Sequence, residues 1–104
     1  MSELTRPAAG IGGGRKVVAT AGTAEQLTTT QTSCLSLSIT AETNNTGLIA
    51  VGDASVEAAA GSQTNALAIL NAGDTISIDI NNLTHIYLDS SVSGDGVAYG
   101  YTTR

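Results

Sequence analysis

Apolar and polar residues alternate along much of this chain. Residues 34–41 place Leu35, Leu37, Ile39 and Ala41 on one face, and residues 75–80 do the same with Ile76, Ile78 and Ile80. Residues 84–89 put Ile86 and Leu88 on one face and His85 and Tyr87 on the other. Strict period two over such lengths predicts half-buried antiparallel strands. Weaker alternation predicts further strands at residues 16–20, 47–51, 66–70 and 97–101. Between them lie Asn44-Asn45-Thr46-Gly47, Asn71-Ala72-Gly73-Asp74, Asn81-Asn82 and Ser93-Gly94-Asp95-Gly96, residue types that tolerate the positive φ of tight turns. Residues 56–60 end at Gly61 and read as a loop with at most one helical turn. Six to eight short strands at close spacing predict an all-β fold, an antiparallel β-sandwich or jelly-roll-like small barrel.

The N-terminal part breaks this rhythm. Residues 1–15 read as an extended Gly-rich arm and residues 16–104 as the sandwich domain. Pro7-Ala8-Ala9-Gly10-Ile11-Gly12-Gly13-Gly14 has no apolar period, and glycine has the most backbone freedom to lose. Such an arm is expected to be ordered only when a neighbouring subunit or partner holds it. Charge divides at nearly the same place. Residues 1–16 carry Arg6, Arg15 and Lys16 against Glu3, a net of +2, and the remaining eight acidic residues against Arg104 give −7, which together make the chain's net −5. An acidic body repels phosphates and argues against nucleic acid, whereas a basic arm suits an acidic protein surface, including that of another copy.

Composition narrows the function more by exclusion than by signature. At 104 residues the chain suits one domain and is too short for a dinucleotide-binding fold with a substrate domain. Only 12% of residues are charged, so Ser, Thr, Asn and Gly must cover much of the surface. With no Phe or Trp, the core lacks the largest burying side chains, which favours stabilisation by association. No apolar run is long enough to cross a membrane, and the first residues do not read as a secretory signal.

Candidate chemistry is sparse. Gly10-Ile11-Gly12-Gly13-Gly14-Arg15-Lys16-Val17 superficially resembles a phosphate loop, but Val17 follows the Lys where Ser or Thr is needed, and a strand follows rather than a helix. His85 is the only imidazole and Cys34 the only thiol, too few for a zinc site. His85 is expected on a strand beside Tyr87 in a structural or interface role, and Cys34 as a small buried hydrophobe. Asp53, Asp74, Asp89 and Asp95 fall in or beside turns without calcium-loop spacing and read as makers of turn hydrogen bonds. Asn44-Asn45-Thr46 and Asn82-Leu83-Thr84 match the glycosylation pattern but read as turn residues. No cofactor or metal is expected. Tyr99 and Tyr101 share a face of the last strand with Val97, either packing against the core or anchoring an interface.

One longer pattern carries a resemblance. Asn45-Thr46-Gly47-Leu48-Ile49-Ala50-Val51-Gly52, Leu70-Asn71-Ala72-Gly73-Asp74-Thr75-Ile76-Ser77-Ile78 and Val92-Ser93-Gly94-Asp95-Gly96-Val97-Ala98-Tyr99 lie within residues 17–101. Together they resemble small structural proteins of tailed-bacteriophage virions, of the head decoration (cement) or head-fibre base type. The resemblance implies a sandwich or jelly roll on the capsid exterior, often a homotrimer, with the major capsid protein as partner and with no enzyme activity, no cofactor, no nucleic acid and no membrane. The candidate contact residues are Arg6, Pro7, Ile11, Arg15 and Lys16 of the arm, by charge and position, and Tyr99 and Tyr101. The alternative expectation is a receptor- or glycan-binding module of a tail or head fibre, for which Tyr87, Tyr99 and Tyr101 are the available aromatic platforms.

Overall fold

The computed structural model describes residues 10–58 and 63–103. Eight strands follow one another: β1 (Gly10–Val17), β2 (Glu25–Gln26), β3 (Ser36–Ala41), β4 (Ile49–Glu57), β5 (Thr64–Leu70), β6 (Thr75–Ile78), β7 (Tyr87–Ser90) and β8 (Gly96–Thr103). A 3-10 turn, Leu83–His85, precedes β7. The strands form two four-stranded antiparallel sheets in the orders β1-β8-β3-β6 and β2-β7-β4-β5. The pairing is nested: first with last, second with seventh, third with sixth, fourth with fifth. A long hairpin with its tip at β4–β5 has thus been rolled into two layers, which makes the sandwich a jelly roll.

Alternation fixes the faces. Leu37, Ile39 and Ala41 of β3 point inward, and through the register so do Val97, Tyr99 and Tyr101 of β8 and Ile76 and Ile78 of β6. They meet Ile49, Val51, Leu70 and Leu88 from the second sheet, with Val18, Leu27, Leu83 and Ile86 closing the ends. Cys34 joins this core, and its thiol donates to the carbonyl of Ile80 at 3.1 Å, as expected of a small buried hydrophobe.

The first sheet gains a strand that the sequence hid. Gly10–Val17 pairs residue for residue with β8, from Gly10 against Thr103 to Val17 against Gly96. From Gly10 onward the expected arm is therefore a ladder strand, paired through residues 10–15 with this chain's own β8. The expected strand at 16–20 ends at Val17. His85 is likewise displaced from its expected strand. It ends the 3-10 turn, because Asn82 caps that turn by accepting from the amide of Thr84 at 3.1 Å. Val56 and Glu57 belong to β4 rather than to a helical turn, while Ala59 and Ala60 lie outside the described residues.

A rolled hairpin changes sheet at every connection except β4–β5, and these crossings need ties. At one end Asp95, 7% exposed, accepts from the amides of Thr46 at 3.2 Å and Gly47 at 2.8 Å. Asn45 clasps Gly96 from both sides, donating to its carbonyl and accepting from its amide. At the other end Asn82 accepts from Thr32 and donates to Gln31. Asp95→Ala leaves the amides of Thr46 and Gly47, at a part-buried site, without their carboxylate partner, and we expect a loss of about 1–3 kcal/mol in urea unfolding. Asp79→Ala, at an exposed position, is expected to stay within about 0.5 kcal/mol of wild type.

Candidate interaction surface

The two outer faces differ. On the second sheet, Ala50, Asp89 and Tyr87 would face solvent by alternation, since they lie between the inward Ile49, Val51 and Leu88. The chain covers them itself. Val56 and Ala58 fold back over this face and form a second small cluster with Ala50, flanked by Ala24, Ala66, Ile69 and Tyr87. Asp89, fully buried, holds that cover down. Its two carboxylate oxygens accept from Gly22 and Ala58, each at 2.9 Å. Asp89 and Asp95 thus bind backbone amides of remote loops rather than of their own turn. Among the described residues no three His, Cys, Asp or Glu side chains gather as a metal site would need.

The outer face of the first sheet lies bare. It presents Ser36, Ser38 and Thr40 of β3, Ala98, Gly100 and Thr102 of β8, Thr75 and Ser77 of β6, and Ile11, Gly13 and Arg15 of β1. Three cross-strand rungs satisfy its hydroxyls: Ser36 with Thr102 at 2.8 Å, Ser38 with Ser77 at 3.4 Å and Thr40 with Thr75 at 2.8 Å. Paired hydroxyls without charges cost little to strip of water. A shallow groove of about 320 Å³ runs over Gly100 between Ile11 and the Ser36–Ser38 stretch. Ile11, a candidate contact residue, is 87% exposed at its margin.

The other candidate residues sort differently. Arg6 and Pro7 lie outside the described residues. Arg15 and Lys16, expected to grip a partner, are engaged within the chain. The Arg15 guanidinium makes a two-pronged contact with Glu42, its Nε on Oε2 and its Nη2 on Oε1 at 2.9 Å. Lys16 Nζ sits 2.9 Å from Glu25 and ties β1 to β2 across the seam between the sheets. The reason is register: Lys16 shares the inward side with Val97, so its side chain turns toward the second sheet.

Tyr99 and Tyr101 also face inward, the packing side of the expectation set for them. Gly12 lies opposite Tyr101 and Gly14 opposite Tyr99. A Cβ on Gly12 would fall 2.5 Å from the Tyr101 ring, and one on Gly14 2.7 Å from the Tyr99 hydroxyl. The glycines leave room for rings that lie across the edge strand and supply the apolar cover it lacks. Sequence reasoning missed this pairing, although two glycines and two tyrosines at matching spacings of two were the signal.

Against known proteins, the chain matches no family model, no curated protein and no solved structure.

Two measurements check this site. Gly12→Ala should destabilise the chain by about 1–2 kcal/mol, and much of that loss should vanish in a Tyr101→Ala background, giving a coupling near 1 kcal/mol in a double-mutant cycle. The second concerns acid. Burial pushes the Glu25 carboxyl up, but the hydrogen bonds from Lys16, Thr20 and Ala19 outweigh it and hold the group below its usual value. The hydrogen bond from Arg15 does the same for Glu42. A carboxylate with a depressed folded pKa stabilises fully above its unfolded value, about 4.3, and loses that contribution as pH falls through the folded one. The urea midpoint should therefore drop on acidification below about pH 4.5, and drop less in the double variant Glu25→Gln, Glu42→Gln.

Proposed function

We propose that this chain is a non-enzymatic structural protein of a phage virion. It binds the outside of the capsid shell, contacts the major capsid protein through the bare face of its first sheet, and bridges and stabilises shell subunits, as a homotrimer. The asymmetry of the two faces carries this reading. One is covered by Val56 and Ala58, the latter tied to Asp89, and the other is hydroxyl-lined with charge only at its margins, Arg15 with Glu42 at one corner and Asp79 just past β6. The pattern within residues 17–101 supports it, and jelly rolls are an architecture used in viral shells. A fold alone does not assign a role, and lectins share this one. The glycan-binding alternative draws less support, because Tyr99 and Tyr101 turn inward and Tyr87 packs against the small cluster on the second sheet's outer face.

In this reading the protein acts passively. A ligand that binds only the assembled shell stabilises that state by linkage. Ser38→Arg and Ser77→Arg, both at exposed positions of the bare face, should leave the melting temperature of the isolated protein unchanged. They should reduce its occupancy on purified capsids about tenfold or more, counted as copies per particle. Full occupancy by both variants would sink the docking face, and bare capsids as heat-resistant as decorated ones would sink the cementing role.

A further inference from the structure

Gly100 is a glycine that the fold itself does not require. A glycine inside a strand weakens it, and its usual reasons are a bulge, a left-handed backbone or the close approach of another group. Gly100 lies within β8, and both ladders run through it without a shift, pairing it with Gly13 on one side and Ser38 on the other. Its φ is not positive, unlike that of Gly22, Gly73 and Gly94. A Cβ built on it would meet the carbonyl oxygen of Gly12 at 3.7 Å, an ordinary contact. Among the described glycines, Gly100 alone has neither a positive φ nor a contact closer than 3.4 Å. Nothing within the chain approaches it, so the reason left is a group from outside.

The gap opens on the bare face of the first sheet. One rung of small residues crosses all four strands there: Gly13, Gly100, Ser38 and Ser77. Gly100, Ser38 and Ser77 form the floor of the groove of about 320 Å³, and Thr102 and Ile11, 87% exposed, stand beside it. β8 and β3 are both interior strands, so the backbone beneath the groove is already spent in ladders. An occupant therefore binds by filling space. None of the groove's lining residues is charged, and Arg15, the cation on this face, is held by Glu42. The complementary surface is uncharged as well.

The inner face of the same two strands shows what fills such a gap. There the rings of Tyr101 and Tyr99 lie over Gly12 and Gly14, each from the register-opposed position of β8. We propose that Gly100 is the specificity-determining position of the docking face, and that an uncharged segment of the major capsid protein lays an aromatic side chain over Gly13 and Gly100, against Ile11 and Thr102. A second copy of this chain does not supply the ring. The sequence has no Phe or Trp, and its three tyrosines pack within the fold. Aromatic side chains in desolvated pockets carry a large share of binding energy at interfaces, and a side chain at position 100 would occupy the ring's place. This inference rests on the docking role proposed for the bare face.

Stability and binding should move in opposite directions. Gly100→Ala should raise the melting temperature of the isolated protein by about 2–6 °C, because it removes a strand glycine whose space is open. Gly100→Val should keep at least the wild-type melting temperature, yet its occupancy on purified capsids should fall about tenfold or more. Heteronuclear NMR of the isotope-labelled full chain reads the ring directly. N-acetyltryptophanamide should shift the Gly13 and Gly100 amide signals, N-acetylleucinamide should leave them in place, and Gly100→Val should abolish the response. A Gly100→Ala protein that melts below wild type would overturn the proposal, since the glycine would then serve the fold. Equal shifts from the two compounds would overturn the aromatic occupant. Full occupancy by Gly100→Val beside lost occupancy by Ser38→Arg would overturn this inference and leave the docking face standing. Full occupancy by both would remove the docking face itself.

Discussion

A rolled hairpin gains its core only if the chain can pass from sheet to sheet without exposing or stranding its backbone amides. The carboxylates of Asp89 and Asp95 meet that constraint. Each is removed from water, and each places two oxygens on two amides of distant loops. A buried ionised group is costly unless it is well bonded, and bonds to a carboxylate are stronger than neutral ones. Two short side chains thus do what a larger core would otherwise do. In a chain without Phe or Trp, the crossovers are held by polar ties and the layers by Leu, Ile and Val.

The edge strand β1 depends on a second economy. Its Gly10–Gly14 half has almost no side chains, so the ladder with β8 would leave the inner side of the sheet empty there. Tyr99 and Tyr101 fill that space from the neighbouring strand. Gly13, on the other side, has no such latitude: a Cβ there would fall 2.7 Å from the Tyr99 carbonyl, in the backbone itself. The run of glycines is thus explained by close approach on both faces rather than by flexibility.

What the sequence made legible follows from period two. Strands β3, β6 and β8 were readable because each sets strong apolar residues against Ser, Thr or Gly on an open outer face. Gly73 and Gly94, with φ of 86° and 96°, occupy the turns their neighbours announced. β1 escaped because its inward positions are Gly12, Gly14 and Lys16, an apolar face supplied from another strand. β2 escaped because two residues carry no period. His85 was misplaced because the alternation of residues 84–89 continues through a turn that Asn82 imposes, a side-chain bond invisible to hydropathy. The ion pairs of the candidate cations were hidden for a related reason. Charge counts along a chain do not show that Arg15 meets Glu42, 27 residues away, or that Lys16 turns inward to Glu25.

That pairing bears on how the molecule meets its surroundings. Arg15 and Lys16, the two cations of the described residues, are both neutralised by the chain itself. The bare face of the first sheet is nearly free of charge, and its hydroxyls bond one another. A partner on such a face is selected by shape and by the small loss of hydration, and its binding depends little on salt. In the proposed virion role, fit suits a permanent seat on a shell.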